Sequence, residues 1–462
     1  MQEANRKRRP NVVVFFTDQQ RWDTTGIHGN PLGLTPNFDR MASFGTDVHY
    51  SFTCQPVCAP ARSCLQSGMY ATKTGLYRND VIALPSQTRT LAHYFRDAGY
   101  HTGYIGKWHL GLTEEQAVAP ERRGGYQYWL AANALELCSD AYHTVVYDND
   151  CREVKLPGYR VDALTDAAIR YMKDHREEPF FLFLSHLEPH HQNNLDDYPP
   201  PNGYRSPYTG RWAPPDLQTL GGSSGQHLGG YYGMVKRLDE ALGRVLDAIE
   251  SLDLADDTIV MFSSDHGSHF KTRNDEYKRS CHESSIRVPT AFAGPGFNGG
   301  GRIGKLVSLI DLPPTILDAA GIEVPPDMQG RSMMPLLRGG QAEWPDEVFV
   351  QISESCVGRA IRTRRWKYAV RAPGKNGYEH MGSDVYQEEF LYDLQADPYE
   401  LNNLAGIKTY DEVSAVLRER LLARMKSAGE EPPRIEPAPV RDPEQMLQPY
   451  WWRGASAEDA KG

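Results

Sequence analysis

Short runs of β-branched and aromatic residues alternate with amphipathic segments along the first two thirds of this chain, and this alternation most constrains its fold. Apolar residues recur at three- and four-residue spacing in the intervening segments, as in helices that pack one face on a sheet. Apolar strands separated by helices are typical of a mostly parallel sheet covered on both faces, so we predict an α/β fold. The predicted strands are residues 12–16, 104–105, 180–184 and 258–262, and the predicted helices are residues 91–98, 161–174 and 231–252.

Charged or ligating residues follow each of the four predicted strands. In an open α/β sheet, ligands bind beyond the carboxyl ends of the parallel strands. We therefore expect these residues to meet at one edge of the sheet. They are Asp18 and Gln19 after the first strand, Lys107 and His109 after the second, His186 and His190 after the third, and Asp265 and His266 after the fourth.

The chain changes character near residue 340. Residues 347–352 and 360–370 look like strands joined by turns, which favours an antiparallel sheet. We predict a catalytic domain over residues 1–340 and a smaller α+β subdomain with a tail over residues 341–462. In the tail, Tyr450, Trp451 and Trp452 form a candidate interface patch for an oligomer.

Composition limits the partners and the compartment. The net charge of -10 argues against nucleic acid as a partner. A protein with this charge would bind an anion through a local basic pocket rather than through a basic surface. We expect no membrane association, since the apolar run at 12–16 is too short for a signal or a span. Seven cysteines without metal-finger spacing do not form a complete disulfide framework, so we expect a cytoplasmic protein.

The most specific motif is Cys58-Ala59-Pro60-Ala61-Arg62. Proline favours the first turn of a helix, which puts Cys58 at a helix N-terminus where the dipole stabilises an anion. A cysteine there can be a thiolate nucleophile. Taken alone, the same cysteine also fits a buried structural residue, so the residues around it in the fold must distinguish this role from that of a nucleophile.

Two further patterns point to an anionic ester and a cation. Lys107 and His109 alternate in Gly-Lys-Trp-His-Leu-Gly, so both can face one pocket, where lysine supplies a point charge and histidine moves a proton. The pairs Asp18-Gln19 and Asp265-His266 offer the oxygens that hard divalent cations prefer. The imidazole also admits a transition metal.

Together these motifs resemble the sulfatase family, whose signature cysteine is converted to formylglycine. The resemblance runs from about residue 11 to residue 405. It implies an alkaline-phosphatase-like fold, an aldehyde at Cys58 made by a maturation enzyme, and hydrolysis of a sulfate ester. It also implies a divalent metal, with Ca²⁺ expected and Mn²⁺ or Zn²⁺ as alternatives. The implied ligands are Asp18, Gln19, Cys58, Asp265 and His266.

The resemblance also assigns roles to other residues. Lys278, ahead of the string Glu283-Ser284-Ser285-Ile286-Arg287-Val288-Pro289, is implied as a second sulfate-binding lysine. The family's Pro-His spacing selects His190 to protonate the departing alcohol, while His109 deprotonates the second hydroxyl of the hydrated aldehyde. Arg62 is implied to hold charge and orient that diol. We expect a sulfated small molecule or oligosaccharide, with His186, His191, His282 and Arg359 lining its pocket.

Two alternatives stay open at this point. Gln19 and His266 depart from the Asp-Asp and Asp-Asn pairs of many sulfatases and resemble those of phosphonate monoester hydrolases and choline sulfatases. A phosphonate or phosphate ester hydrolase on the same fold is therefore one alternative. The other is a catalytically silent protein that captures sulfated glycans.

Overall fold

The computed structural model describes residues 9–339 and 343–441. The larger of its two sheets has ten strands. These are β1 (Asn11–Thr17), β2 (Thr46–Phe52), β3 (His101–Lys107), β4 (Tyr128–Ala132), β5 (Thr144–Tyr147), β6 (Glu153–Leu156), β7 (Phe180–Ser185), β8 (Thr258–Ser264), β9 (Ala291–Ala293) and β10 (Gly301–Ser308).

The centre of this sheet is parallel, as predicted. The strand order is β10-β2-β9-β8-β1-β7-β3-β4-β5-β6, and β8, β1, β7, β3 and β4 run in one direction. The short strand β9 is antiparallel to both neighbours, and β5 and β6 form an antiparallel edge. The register aligns the strand ends, since Phe16 pairs with Ser185 and with Ser263, and Gly106 pairs with Ser185. The residues after these strands therefore leave the sheet at one level.

Helices cover both faces of the sheet. The α-helices of the described residues are α1 (Pro36–Phe44), α2 (Cys58–Ser67), α3 (Ala71–Thr74), α4 (Leu91–Asp97), α5 (Leu135–Cys138), α6 (Arg160–Asp174), α7 (Pro215–Thr219), α8 (Ser224–Ser251), α9 (Glu283–Ile286), α10 (Leu312–Ala319), α11 (Met334–Leu337) and α12 (Asp411–Ser427). The last of them, α12, packs on the smaller sheet instead.

Strand β1 shows why both faces are apolar. Val13 and Phe15 pack with the buried side chains of α1, α6 and α8, whereas Val14 and Phe16 pack with those of α2, α4 and α10. Alternate residues of a strand point to opposite faces, so a strand buried on both sides must be apolar throughout. The short runs of the sequence therefore become the central strands.

The predicted helices at 91–98 and 161–174 correspond to α4 and α6. The third differs, because α8 begins at Ser224 rather than at residue 231. Glycines near its start obscured the helical pattern, and at least one of them is needed for packing. A Cβ on Gly230 would lie 2.2 Å from the carbonyl oxygen of Tyr198.

The second sheet has five strands in the order β11 (Glu347–Ile352), β12 (Gly358–Thr363), β13 (Trp366–Arg371), β14 (Val385–Asp393) and β15 (Arg434–Glu436). It is antiparallel except for the β14–β15 pair. One face packs on α12 through residues such as Phe349 and Leu421, and the other packs on Phe52 and Leu306 of the large sheet. The predicted α/β fold with a smaller sheet of this kind is confirmed.

Two expectations lie outside the described residues. The predicted boundary at residue 340 falls in the segment 340–342, and the aromatic tail residues Tyr450, Trp451 and Trp452 fall in the segment 442–462. Among the helices that the structure describes, none combines the length and apolarity needed to cross a bilayer.

Candidate active site

The candidate site lies at the carboxyl ends of β1, β3, β7 and β8, with the N-terminus of α2 facing them. Four buried side chains each offer one ligating atom, and these four atoms all lie within 4.8 Å of one another. The group consists of Asp18, Cys58, Asp265 and His266. The acidic pairs and the motif cysteine thus meet in one place, as the sequence predicts.

Cys58 is the first residue of α2 and is fully buried. Its Sγ lies 3.6 Å from Oδ1 of Asp18 and 3.3 Å from Nε2 of His266. Burial by itself raises the pKa of the Cys58 thiol, but the positive charges nearby, led by Lys107 and Lys278, hold it well below its usual range. The position therefore stabilises an oxygen or sulfur that carries negative charge.

The donor set fits a divalent cation. Two carboxylates buried this close repel each other unless positive charge lies between them. Burial, followed by the charge of Asp18, raises the pKa of Asp265 to about 7. Burial also raises the pKa of Asp18, but the cations around it, Lys107 first, hold it well below its usual range. A bound cation would relieve this conflict and keep both carboxylates ionised.

Gln19 is oriented by its neighbours. Its Nε2 donates to the hydroxyl of Tyr198 at 2.9 Å and to Oγ of Ser268 at 3.2 Å. Its backbone N–H donates to Oδ1 of Asp265, and its φ of 66° places it in the left-handed region. These donor contacts leave the amide oxygen of Gln19 as its remaining ligating atom. Gln19 therefore suits the predicted role beside Asp18.

Arg62 holds the two carboxylates rather than facing an open pocket. Its Nε donates to Asp265 at 3.2 Å and its Nη2 to Asp18 at 3.0 Å. Its Nη1 donates to the carbonyl oxygen of Lys107 at 2.9 Å and to Oγ of Ser185 at 2.7 Å. The guanidinium is 3% exposed and is saturated by protein acceptors, so it positions the ligands.

Lys107 is fully buried between two carboxylates. Its Nζ donates to Asp18 at 2.8 Å and to Glu136 at 2.9 Å. Gly106 makes this placement feasible, because a Cβ there would lie 1.9 Å from the carbonyl oxygen of Ser185. Burial lowers the pKa of Lys107, but the charges of Asp18 and Cys58 raise it well above its usual value. The side chain therefore remains a cation.

His109 sits on the same side of the site with a φ of 57°. Its Nε2 lies 3.4 Å from Oδ1 of Asp80, and its Nδ1 lies 3.8 Å from Oε1 of Glu136. Burial and the charge of Lys107 lower its pKa, but Glu136 and the hydrogen bond to Asp80 raise it to about 9. The imidazole is thus surrounded by groups that accept and stabilise a proton.

Sequence reasoning missed Glu136, and it placed Ser185 at a strand end without giving it a role. Glu136 lies in α5, just after β4, and Ser185 is the last residue of β7. The rule about strand ends would have found Glu136, but the short strand β4 was not recognised. Burial raises the pKa of Glu136, and Lys107 followed by His109 outweighs it and lowers the pKa to about 2.

Lys278 and His190 complete the site. Nζ of Lys278 lies 2.8 Å from Sγ of Cys58 and 3.2 Å from Nε2 of His190. Nδ1 of His190 lies 2.5 Å from the carbonyl oxygen of His191. Burial, followed by the charge of Lys278, lowers the pKa of His190 to about 4. The His190 ring of this pair is therefore neutral near pH 7.

Three residues expected in the substrate pocket lie elsewhere. His186 is fully buried against Phe15, with ring centroids 4.7 Å apart, and neither ring nitrogen has a hydrogen-bond partner among the described residues. His282 contacts the hydroxyl of Tyr392 in the small sheet at 3.1 Å. Arg359 forms an ion pair with Glu430 at 2.8 Å and is 1% exposed. Assigning these three to the pocket wall was wrong, because packing against the core and the small sheet fixes their directions.

His191 remains a candidate for the pocket wall. It is stacked on Tyr277, with ring centroids 4.4 Å apart, and its Nε2 lies 2.9 Å from Oδ1 of the exposed Asp196. His269, another histidine of this region, is an anchor instead. Its Nε2 contacts the carbonyl oxygen of Lys278 at 2.8 Å and so fixes the loop that carries the lysine.

Two family models match this chain. The model described as Sulfatase matches residues 10–322, and the one described as N-sulphoglucosamine sulphohydrolase, C-terminal, matches residues 275–427. Together they cover the large sheet and strands β11 to β14 of the small sheet.

Relatives of known name are similar over most of their length. An ulvan-active sulfatase of Formosa agariphila is 30% identical, over 93% of this chain and 84% of its own. An N-acetylglucosamine-6-O-sulfatase of Bacteroides thetaiotaomicron is 24% identical, over 92% of this chain and 88% of its own.

Solved structures share the fold. A sulfatase, yidJ, from Bacteroides fragilis superposes with a TM-score of 0.79 at 25% identity, covering 93% of this chain and 98% of its own. A phosphonate monoester hydrolase of Agrobacterium radiobacter superposes with a TM-score of 0.69 at 22% identity, covering 91% of this chain and 96% of its own.

Proposed function

The chain belongs to the sulfatase family and is a sulfuric ester hydrolase, and from that premise we propose that it removes sulfate from a sulfated carbohydrate with the help of Ca²⁺. The observation that carries the proposal is the meeting of the motif cysteine with two acidic pairs and two lysines. Ligating atoms of Asp18, Cys58, Asp265 and His266 lie within 4.8 Å of one another. Lys278 contacts Cys58, and Lys107 contacts Asp18, at 2.8 Å each.

The family implies a divalent metal and a formylglycine. Asp18, Gln19, Asp265, His266 and the modified residue 58 would hold the metal. Carboxylate and amide oxygens dominate this set, which favours Ca²⁺ over softer ions. When bound, the metal supplies positive charge that stabilises the sulfate oxygens and the nucleophile.

Conversion of Cys58 by a maturation enzyme would supply the nucleophile. The hydrated aldehyde offers two hydroxyl groups, one to attack sulfur and one whose deprotonation expels the sulfate and restores the aldehyde. Arg62 would support this chemistry by positioning two carboxylates. Its Nη2 donates to Oδ2 of Asp18 at 3.0 Å and its Nε donates to Oδ2 of Asp265 at 3.2 Å. A group held this rigidly needs little rearrangement during the reaction.

Groups on two sides of the pocket would carry out the two proton transfers. On one side, Lys278 and His190 form a hydrogen-bonded pair that would donate a proton to the departing alcohol. On the other side, the neutral form of His109 would accept the proton of the second hydroxyl, and Glu136 would stabilise the imidazolium that forms. Lys107 would hold a sulfate oxygen as a fixed cation.

Two observations support a carbohydrate substrate. The names of the relatives above, an ulvan-active sulfatase and an N-acetylglucosamine-6-O-sulfatase, describe enzymes that act on sulfated sugars. In addition, the stacked rings of His191 and Tyr277 stand beside the Lys278 loop, where an aromatic face could pack on a sugar ring.

A panel of sulfated mono- and oligosaccharides, with released sulfate measured by ion chromatography, tests the proposal. We expect turnover of at least one sugar, and none by Cys58→Ala. Mass spectrometry of the peptide that contains residue 58 is the matching control, because only preparations with the aldehyde should turn over. Activity on aryl sulfates and failure on every sugar would overturn the carbohydrate assignment.

Gln19 and His266 favour one alternative, a phosphonate or phosphate ester hydrolase on the same fold. Kinetics with matched aryl sulfate and aryl phosphonate esters separate the two. A kcat/KM higher for the phosphonate by tenfold or more would support the alternative. A protein with the aldehyde that binds sulfated sugars without releasing sulfate would instead be a silent glycan-binding protein.

A further inference from the structure

A second group of ligating side chains lies outside the active site. His28 ends a short 3-10 turn over Gly26–His28, and Asp47 and His49 are alternate residues of β2. Each of these three side chains offers one ligating atom, and the three atoms all lie within 4.8 Å of one another. The His28 and His49 rings are stacked, with centroids 4.9 Å apart.

Two polar atoms in this group are buried without a partner. Oδ1 of Asp47 has no hydrogen bond to any described residue, and Nε2 of His28 has none of normal geometry. The other atoms are used: Nδ1 of His28 contacts the hydroxyl of Thr25 at 2.7 Å, and Oδ2 of Asp47 lies 2.9 Å from Nε of Arg302 and 3.3 Å from Nδ1 of His49. A buried carboxylate oxygen without a partner is destabilising. Asp47 is only 2% exposed, so water compensates little.

We propose that His28, Asp47 and His49 bind a transition-metal ion, with Zn²⁺ as the expected occupant. Two imidazole nitrogens and one carboxylate oxygen form a donor set that suits Zn²⁺ and not Ca²⁺. One ion would provide a partner for both unpaired atoms. The His49 side chain is 23% exposed, so the site is open to solvent and to exchange.

The state of His28 is compatible with this role. The hydrogen bond between Nδ1 and Thr25 directs the other nitrogen, Nε2, towards the group. Such a second hydrogen bond is usual for histidines that ligate metals.

Two arginines set the electrostatic cost of a cation here. Arg287 is fixed, because its guanidinium lies 3.9 Å from the centroid of the Trp22 ring and its Nη2 donates to the carbonyl oxygen of His49. The Arg302 side chain is 56% exposed and competes directly for Asp47. An exposed arginine can turn into solvent at small cost, so a metal at Oδ1 of Asp47 would weaken the contact between Arg302 and Oδ2 and leave Arg287 in place.

The metal would join two segments that matter for the active site. The turn at His28 follows Asp18 and Gln19 along the chain, whereas β2 leads towards Cys58 and its helix. A shared ion would therefore tie the segment carrying one acidic pair to the strand before the nucleophile. Its role would be structural, since the group contains no residue of the active site.

Zn²⁺ titration of the full-length, Ca²⁺-loaded protein by isothermal calorimetry tests the proposal. We expect the wild type to bind one more equivalent than His49→Gln. In the same assay, Arg302→Gln should bind this equivalent at least threefold more tightly, because it removes the competing cation. The control His175→Gln breaks another stacked histidine pair, His101 and His175 at 3.8 Å, and should match the wild type.

Thermal unfolding provides a second readout. Zn²⁺ should raise the Tm of the wild type and of Arg302→Gln but not that of His49→Gln, with Ca²⁺ present throughout. Equal Zn²⁺ stoichiometry and affinity in the wild type and His49→Gln would overturn the proposal. So would an unchanged affinity in Arg302→Gln, a surface variant whose folding is not at risk.

Discussion

The ammonium group of Lys278 lies 2.8 Å from Sγ of Cys58, although 220 residues separate the two in the chain. The cysteine begins a helix, and the lysine comes from the loop after β8. Helix N-terminus and ammonium act on the same atom, and both favour negative charge there. The contact therefore defines where the reacting group must sit.

Lys278→Met should lower kcat/KM about 100- to 1000-fold, because a fixed cation in a buried site contributes about 2.7–4 kcal/mol to the transition state. Steady-state kinetics with a sulfate ester measures this. Lys305→Met is the matched control, since Lys305 is an exposed residue of β10. Equal losses in both variants would count against a specific role for Lys278.

Cys58→Ala should lower sulfate release about 10³-fold or more, because the variant has no nucleophile at position 58. Its Tm should stay close to that of the wild type, since only one sulfur atom is removed. Cys151→Ala, at a partly buried cysteine between β5 and β6, should retain full activity. Repeated turnover by Cys58→Ala would show that the nucleophile is another group.

Removal of the divalent metal with EDTA should abolish activity and lower the Tm by a few degrees. The carboxylates of Asp18 and Asp265 then lose the cation between them, and a ligand present at 100 times its Kd contributes about 2.7 kcal/mol to stability. Excess Ca²⁺ should restore both properties. If neither the Tm nor the activity responds to EDTA, no functional cation lies among Asp18, Cys58, Asp265 and His266.

His186→Phe should make the protein more resistant to acid. Burial, followed by the charge of Arg160, lowers the pKa of His186 to about 3 in the folded state, whereas the unfolded chain binds a proton near pH 6.5. Between these values the unfolded state binds more protons, so stability falls as the pH falls. At pH 5 the loss is about 2 kcal/mol, and phenylalanine removes it.

Thermal unfolding at pH 7 and pH 5 measures this effect. The drop in Tm between the two pH values should be smaller in His186→Phe than in the wild type. The exposed His143 provides the control, and His143→Phe should leave the drop unchanged. An identical drop in all three proteins would show that His186 is not a buried neutral ring.

Arg359→Met should reduce stability and leave KM unchanged. The Arg359–Glu430 pair joins β12 to the segment between α12 and β15, and loss of one partner of a buried pair costs about 3 kcal/mol. Thermal unfolding and a KM for a sulfated sugar measure the two effects. The exposed Arg364 serves as the comparison, because Arg364→Met should change neither quantity. A raised KM with an unchanged Tm would return Arg359 to the substrate pocket.

Local sequence was sufficient where a single element decides the outcome. The position of Cys58 at the start of α2 followed from its proline, and the Asp18 and Asp265 pairs followed from the ends of apolar strands. It was insufficient where the side chain's direction depends on a distant surface. His186 was read as a pocket residue, yet it turns into the core against Phe15.

The sequence by itself determined the parallel sheet, the strand ends at which polar residues gather and the chemical types available there, because these depend on apolar periodicity and on residues close in the chain. Only the tertiary structure decided which of those residues share one pocket. It brought Glu136 and Ser185 into the site and turned His282 and Arg359 towards the small sheet. The physical reason is that a side chain's direction is set by packing and charge pairing between elements far apart in sequence, and no local pattern records those contacts.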